Sequence, residues 1–219
     1  MDSPYRLERS RSGAAEFHGR SVPDPAERVI WWHEVTAPAL VLGSTQPESI
    51  VDVDACRAAG VEVVRRRSGG GAVMLRPAEV TWIDVVVPRG APGWADDVHA
   101  PMAWLGDHLA DTFRRLLPGR TITVHGSPMV STGFSALVCF DGFGAGEVLL
   151  DGRKLVGISQ RRTRHAARLQ CCWYSAYDPA HLVDLLAVPV RPAVDRLLPV
   201  ATVPSDAATA VPAVLAARL

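Results

Sequence analysis

Val61-Glu62-Val63-Val64 runs into Arg65-Arg66-Arg67-Ser68-Gly69-Gly70-Gly71, and Ala72-Val73-Met74-Leu75 then resumes an extended apolar pattern. Two short β-type runs around a bare glycine triplet predict strand, loop, strand rather than strand, loop, helix. That order excludes two phosphate-binding folds. No Gly-Lys-Ser/Thr follows, so this is no P-loop, and the spacing and helix of a dinucleotide fingerprint are missing. Three residues without Cβ atoms let a ligand approach the backbone and meet several amide donors. The flanking arginines add fixed positive charge suited to phosphate or carboxylate. A glycine-rich hairpin beside a solvated arginine run is the plain alternative, and these residues alone leave both readings open.

Working outward, residues 39–42 form a short apolar run closed by Gly43-Ser44-Thr45-Gln46, which reads as a buried strand entering a loop. Residues 52–59, ending at Gly60, read as a short helix with a glycine stop. Residues 80–87 make a strand stopped by Pro88. Val98, Met102, Leu105, Leu109, Phe113 and Leu116 then recur on one helical stripe. Asp96 and Asp97 stand near the start of that helix and Pro118-Gly119 ends it. Thr121 to Val124 reads as a strand, and Asp178-Pro179 opens a short helix through Leu186. The alanine- and proline-rich remainder holds one weak final helix, and residues 1–27 lack periodicity and read as a flexible arm. Strands and helices without βαβ alternation predict one α+β domain with a mixed sheet over residues 28–219.

The second segment of interest is Glu147 to Arg162. Asp151-Gly152 suits a type I′ turn, so a hairpin is expected there. Alternation along its second strand places Lys154, Val156, Ile158 and Gln160 on one face. Lys154 is the single lysine in a chain with 22 arginines. An edge lysine that guards against sheet aggregation is the ordinary reading. Here a guard position would accept arginine, which leaves room for a site that needs a compact ammonium.

Composition narrows the function classes. Basic and acidic residues balance at 23 each, which argues against a general nucleic-acid binder. No apolar run approaches a membrane span and no signal-peptide core is present, so a cytoplasmic protein is expected. Four cysteines lack CxxC or disulfide-framework spacing, and seven scattered histidines offer no metal site. There is no asparagine, hence no Cys-His-Asn triad. His125 is a candidate base. Arg161, Arg162, Arg164, His165 and Arg168 form a basic stretch that reads as a solvated strand end or a receiver for an acidic carrier. Trp31, Trp32, Cys171 and Cys172 read as packing residues.

Taken together, Val41-Leu42-Gly43-Ser44-Thr45-Gln46, Arg66-Arg67-Ser68-Gly69-Gly70-Gly71-Ala72-Val73 and Gly152-Arg153-Lys154-Leu155-Val156-Gly157 with Gln160 resemble the lipoate branch of the lipoate–protein ligase and biotin ligase catalytic-domain family. The resemblance covers roughly residues 28–187, and the Gly-Arg-Gly-Arg signature of the biotin branch is absent. It implies a mixed, largely antiparallel sheet flanked by helices, of the class II aminoacyl-tRNA synthetase and biotin ligase type. It also implies a ligase that makes an acyl-adenylate from lipoate or octanoate and ATP with magnesium. The acyl group then passes to a lysine of a 2-oxoacid dehydrogenase lipoyl domain or glycine-cleavage H protein. By that match Gln46, Arg66, Ser68, Gly69, Gly70, Gly71, Ala72, Gly157 and Ser159 line the acyl-adenylate pocket. Lys154 holds the acyl carbonyl and phosphate as an electrophilic stabiliser.

Three departures open alternatives. Met74-Leu75-Arg76 replaces the usual Tyr-His-Asp, Cys139-Phe140 stands where ligases show Asn-Asp, and only about thirty residues follow the core. Octanoyltransferases of the superfamily carry a nucleophilic cysteine in a Cys-Phe context. The resemblance therefore also implies an enzyme that takes octanoyl from acyl carrier protein onto Cys139 as a thioester, without ATP. A non-catalytic relative that binds acyl groups or carriers is the third reading. The ligase leads on the family pattern.

Overall fold

The computed structural model describes residues 5–219; the first four residues of the expected arm lie outside the described residues. In chain order its elements are β1 (Arg6–Ser12), α1 (Ala14–Gly19), β2 (Val29–Val35), β3 (Ala39–Leu42), α2 (Val53–Ala58), β4 (Glu62–Arg65), β5 (Val73–Leu75) and β6 (Val80–Pro88). Then come α3 (Ala100–Leu116), β7 (Ile122–Val124), β8 (Val130–Ser131), β9 (Gly142–Phe143), β10 (Val148–Leu150), β11 (Arg153–Arg162), β12 (Ala166–Tyr174), α4 (Ala180–Val183) and α5 (Ser205–Ala216). A seven-stranded sheet runs β1-β2-β6-β12-β11-β10-β7, parallel at β1/β2 and antiparallel elsewhere. A three-stranded sheet runs β4-β3-β5. This is the mixed, largely antiparallel α+β fold that the sequence predicts.

The period-2 pattern of β6 divides the molecule into layers. Ile83, Val85 and Val87 face a core shared with Leu105, Leu109 and Phe113 of α3 and Val211 and Leu215 of α5. Trp82 faces the other way, into a second core with Phe17 of α1, Val41 of β3 and Val73 and Leu75 of β5. The candidate site lies between that second face and the small sheet. Helix α3 starts where Asp97 accepts the His99 and Ala100 amides, at 2.6 and 2.8 Å. Its fully buried Leu105, Leu109 and Phe113 each contribute about 1.5–3 kcal/mol. Val98, at the head of the predicted stripe, precedes the helix and is exposed.

Three expectations are corrected. Residues 6–19 are no flexible arm: β1 pairs in register with β2, and Arg9–Glu34 and Arg20–Glu8 tie the segment down. The strand is polar because it lies at the sheet edge, so it carries no hydrophobic signal. The expected final helix is present, as the twelve-residue α5 that packs on α3 despite Pro212. Residues 166–174 form a central strand, and its Arg168 is buried rather than solvated. The helix after Pro179 is shorter than expected, closing at Val183.

Candidate active site

Lys154 reaches the site through an irregularity in the hairpin. Asp151 and Gly152 take φ of 48° and 78°, as a type I′ turn requires. Leu149 pairs with Lys154, but Val148 pairs with Val156, so Leu155 is an extra residue on β11. Such a bulge re-aims the side chains beside it. Lys154 therefore leaves the face of Val156 and turns toward Gly157 and the second layer. The expectation that Lys154, Val156 and Ile158 share one face is corrected by that extra residue.

The ammonium is 3% exposed and fully committed. It donates to the carbonyls of Cys139 and Gly142, both at 3.0 Å, and to Oε2 of Glu147 at 2.8 Å. The Phe140 ring lies 4.8 Å away. Three donors meet three acceptors, so Lys154 staples both ends of the turn 139–142. Burial, the largest single influence, pushes its pKa down, but Glu147 together with Cys139 and Cys172 turns the net direction up. Lys154 is an ammonium, not a base. Glu147, itself buried, also accepts the Gly144 amide at Oε2 (2.9 Å) and the Ile158 amide at Oε1 (3.0 Å).

The glycine loop builds the opposite wall. Arg66 is buried and turns inward: its guanidinium donates to the carbonyls of Gly69 and Gly71, at 2.7 and 2.8 Å. Gly70 has φ of 96°, and a Cβ there would meet that guanidinium at 2.9 Å and the Cys139 sulfur at 3.9 Å. A Cβ on Gly71 would lie 2.7 Å from the Cys139 nitrogen. Past these glycines Ala72 zips against the cysteine segment. Its amide donates to Leu137 at 2.7 Å, and its carbonyl accepts from the Cys139 amide at 3.0 Å. Gln46 closes the loop from below, accepting the Gly43 amide and donating to the Ala136 and Leu137 carbonyls. Ser68 reaches across to Ser159, with the two hydroxyls 3.0 Å apart.

Between these walls lies a mainly apolar cavity of about 450 Å³, counting its open mouth. Val41, Val73, Leu75, Trp82, Phe140 and Ile158 supply its apolar surface, and Cys139, Cys172, Arg66 and Ser159 also line it. The half-buried Cys139 is thus held through both its amide and its carbonyl at the wall of an apolar pocket. Burial, reinforced by Cys139, pushes the Cys172 thiol up to about 12, so that wall presents a neutral thiol. His18 lines the far side, its ring 4.5 Å from Trp82. Burial lowers its pKa to about 4, helped by Arg168 and Arg66 and opposed by Asp84. Beneath it, the fully buried Asp84 binds Arg168 and His33, and Arg168 donates to the Phe17 and Arg20 carbonyls at the end of α1. This buried network fixes the helix that carries His18.

Of the sequence-predicted residues, Cys139, Arg66, Gly157 and Ser159 line the cavity, while Lys154, Ser68, Gly70, Gly71 and Ala72 stand behind its wall in contact with those residues. Gly69 faces open space, and Gln46 stands behind the loop as a support. His125 bonds the Pro128 carbonyl and is not part of the lining. Cys172, which reads in the sequence as a packing residue, lines the cavity. Glu147 and His18 escaped the sequence reading. Glu147 alone left a trace there, as an acid opening the first strand of the lysine hairpin.

The family model described as the lipoyl protein ligase A/B catalytic domain matches residues 16–217. The chain belongs to that family. Its members are enzymes. Among similar proteins is the octanoyltransferase LipM of Kyrpidia tusciae, 30% identical over 88% of this chain and 74% of that protein. The octanoyltransferase LipM of Staphylococcus aureus is 27% identical over 74% of this chain, which spans 58% of its length. Among solved structures, a lipoate-protein ligase A bound with ATP shares the lipoyl ligase A/B fold at a TM-score of 0.68 and 19% identity, over 96% of this chain and 83% of that one. A bipartite lipoate protein ligase from Thermoplasma acidophilum, described with its E2 lipoyl domain, follows at 0.67 and 16%, over 99% and 84%. Among the described residues, no helix is long and apolar enough to cross a membrane, and no group of three metal-ligating side chains occurs.

Proposed function

We propose that this enzyme transfers an octanoyl group from a carrier thioester to a lysine of a lipoyl domain or H protein, through a thioester on Cys139. The observation that carries the reading is the seat of Cys139 on the wall of the apolar cavity, clamped by Ala72 on one side and Lys154 on the other. The relatives named octanoyltransferases support it. In the first step the Cys139 sulfur bonds the acyl carbon, the donor C–S bond breaks, and the thiol proton leaves with the donor thiol. The exchange is proton-neutral overall, the proton that leaves Cys139 as its thiolate forms ending on the donor sulfur. In the second step the target amine forms the amide bond, the Cys139 C–S bond breaks, and the thiol recovers a proton from the amine. Lys154, with its three donors spent on the turn and Glu147, acts on the acyl oxygen through its buried positive charge and by holding the turn that carries Cys139.

The adenylate route has less support. An adenylate phosphate would call on Arg66 and Lys154, yet both are committed to protein carbonyls and Glu147. As built, the site does not fit that group. The test is intact-mass analysis of an apo lipoyl domain and of the enzyme, with octanoyl-acyl carrier protein in one arm and lipoate or octanoate with ATP and magnesium in the other. The thioester route predicts an octanoyl adduct on the enzyme without ATP, absent in Cys139→Ala. Carrier modification that needs ATP and survives Cys139→Ala would refute it.

A further inference from the structure

The committed ammonium raises a question of what keeps it committed. Lys154 and Glu147 arrive from opposite strands of one hairpin, and neither is set by the hairpin alone. Glu147 is brought in by a close helix contact: a Cβ on Gly106 of α3 would lie 2.1 Å from the Gly146 carbonyl, and one on Gly146 would lie 2.6 Å from Met102. Only a backbone bare of side chains on both sides permits that approach. The carboxylate that follows Gly146 is then buried and spends its acceptors on Lys154, Gly144 and Ile158.

We infer that Glu147 is a positioning residue for acyl transfer at Cys139, holding Lys154 so that its ammonium pins both ends of the turn 139–142 against the glycine loop. The inference rests on the thioester reading and deepens it. Glu147 does not touch the reacting atoms and acts through Lys154. Each carboxylate oxygen faces donors only. An amide at this position has one acceptor oxygen and one donor nitrogen, so either Ile158 or the Lys154–Gly144 pair meets a donor. Glutamine therefore matches the shape of glutamate and cannot replace it. The titratable groups that face the Lys154 ammonium are Glu147 before β10, Cys139 in the turn and Cys172 on β12. Once the carboxylate is gone, burial is the strongest influence left on the lysine, and it favours the uncharged amine.

The experiment follows single-turnover thioester formation on full-length protein with octanoyl-acyl carrier protein, in wild type, Glu147→Gln and Glu147→Asp. Misplacing a reacting group by a fraction of an ångström to one ångström costs about 10- to 100-fold in rate. Glu147→Gln is expected to lose that much at saturating donor, with the half-saturating donor concentration unchanged. Its alkaline limb is expected to move to lower pH, because Lys154 loses its proton sooner. Glu147→Asp keeps the charge on a shorter arm and is expected to recover part of the rate. A folded Glu147→Gln at the wild-type rate, with an unmoved alkaline limb, overturns the inference. If Glu147→Gln does not fold, Glu147→Asp decides: a wild-type rate there, or loss of its fold as well, reduces Glu147 to a stability residue. Failure of the wild type itself to form a thioester would instead refute the function proposed above.

Discussion

Replacing Lys154 with methionine keeps much of the side-chain volume and removes the charge, which isolates the energetics of the staple. The wild-type ammonium makes two hydrogen bonds to backbone carbonyls and one ion pair to Glu147, all buried. Breaking one partner of a buried pair costs about 3–5 kcal/mol, because the other charge is left uncompensated. Glu147 retains two amide donors, from Gly144 and Ile158, which stabilise its anion and place the cost toward the lower end. In a domain of this size about 3 kcal/mol corresponds to roughly 6–12 °C in melting temperature. Neutralising both partners removes the orphaned charge, so Lys154→Met with Glu147→Gln should be more stable than the sum of the single losses allows. The expected coupling is roughly 1–3 kcal/mol, measured by urea unfolding of the wild type, both single variants and the double variant. Additivity within about 0.5 kcal/mol, or a Lys154→Met loss below about 1 kcal/mol, would show that the pair is not closed in solution and would refute the reasoning.

Other perturbations probe the neighbouring contacts. Gly71→Ala places a methyl 2.7 Å from the Cys139 nitrogen and the Val138 carbonyl carbon, so it should destabilise by about 1–3 kcal/mol and slow alkylation or acylation of Cys139; unchanged unfolding and labelling would contradict the packing described. Lys154→Arg keeps the charge, but a planar guanidinium cannot converge three acceptors on one atom, and a folded variant with acyl transfer reduced at least about 100-fold is expected; near-normal turnover would disprove the need for an ammonium. The folded state of His18 favours the neutral ring, with its pKa lowered to about 4 from 6.5. Its contribution is therefore complete above about pH 6.5 and is lost as the pH falls toward 4, amounting to about 1–2 kcal/mol after allowance for the partly exposed ring. Urea unfolding between pH 7.5 and 4.5 should show that loss in wild type and a flatter profile in His18→Phe; parallel profiles would exclude it.

Much of the fold was legible because its signals are local. The Asp151-Gly152 turn, the short helix before Gly60 and the α3 stripe from Met102 onward each depend on neighbours within a few residues, and each appears where predicted. What escaped is non-local. β1 is an edge strand stabilised by ion pairs to β2 and α1, so it lacks the apolar alternation that announces a strand. β12 carries Arg168 and Gln170 among its buried residues, because Asp84 on β6 and Ser68 on the glycine loop satisfy them from across the sheet. No window of sequence contains both partners. The bulge at Leu155 is likewise unreadable from alternation, yet it decides which way Lys154 points.

The arginine excess gains a physical meaning from that bulge. Two buried arginines sit where a planar, multiply donating group serves well: Arg66 spans two loop carbonyls, and Arg168 bridges Asp84 to the end of α1. Lys154 faces a different demand, three acceptors at 2.8–3.0 Å around one buried atom. A tetrahedral ammonium satisfies that geometry, whereas a guanidinium spreads its donors in a plane and would leave acceptors unpaired. Unpaired buried acceptors cost about 1–3 kcal/mol each. An arginine at this position would therefore meet a steep penalty. The acceptors that impose it are the carbonyls of Cys139 and Gly142, at the two ends of the turn, and the acid that opens the same hairpin. The lone lysine and the clamped cysteine are thus two consequences of one arrangement, and a change that frees either should disturb the other.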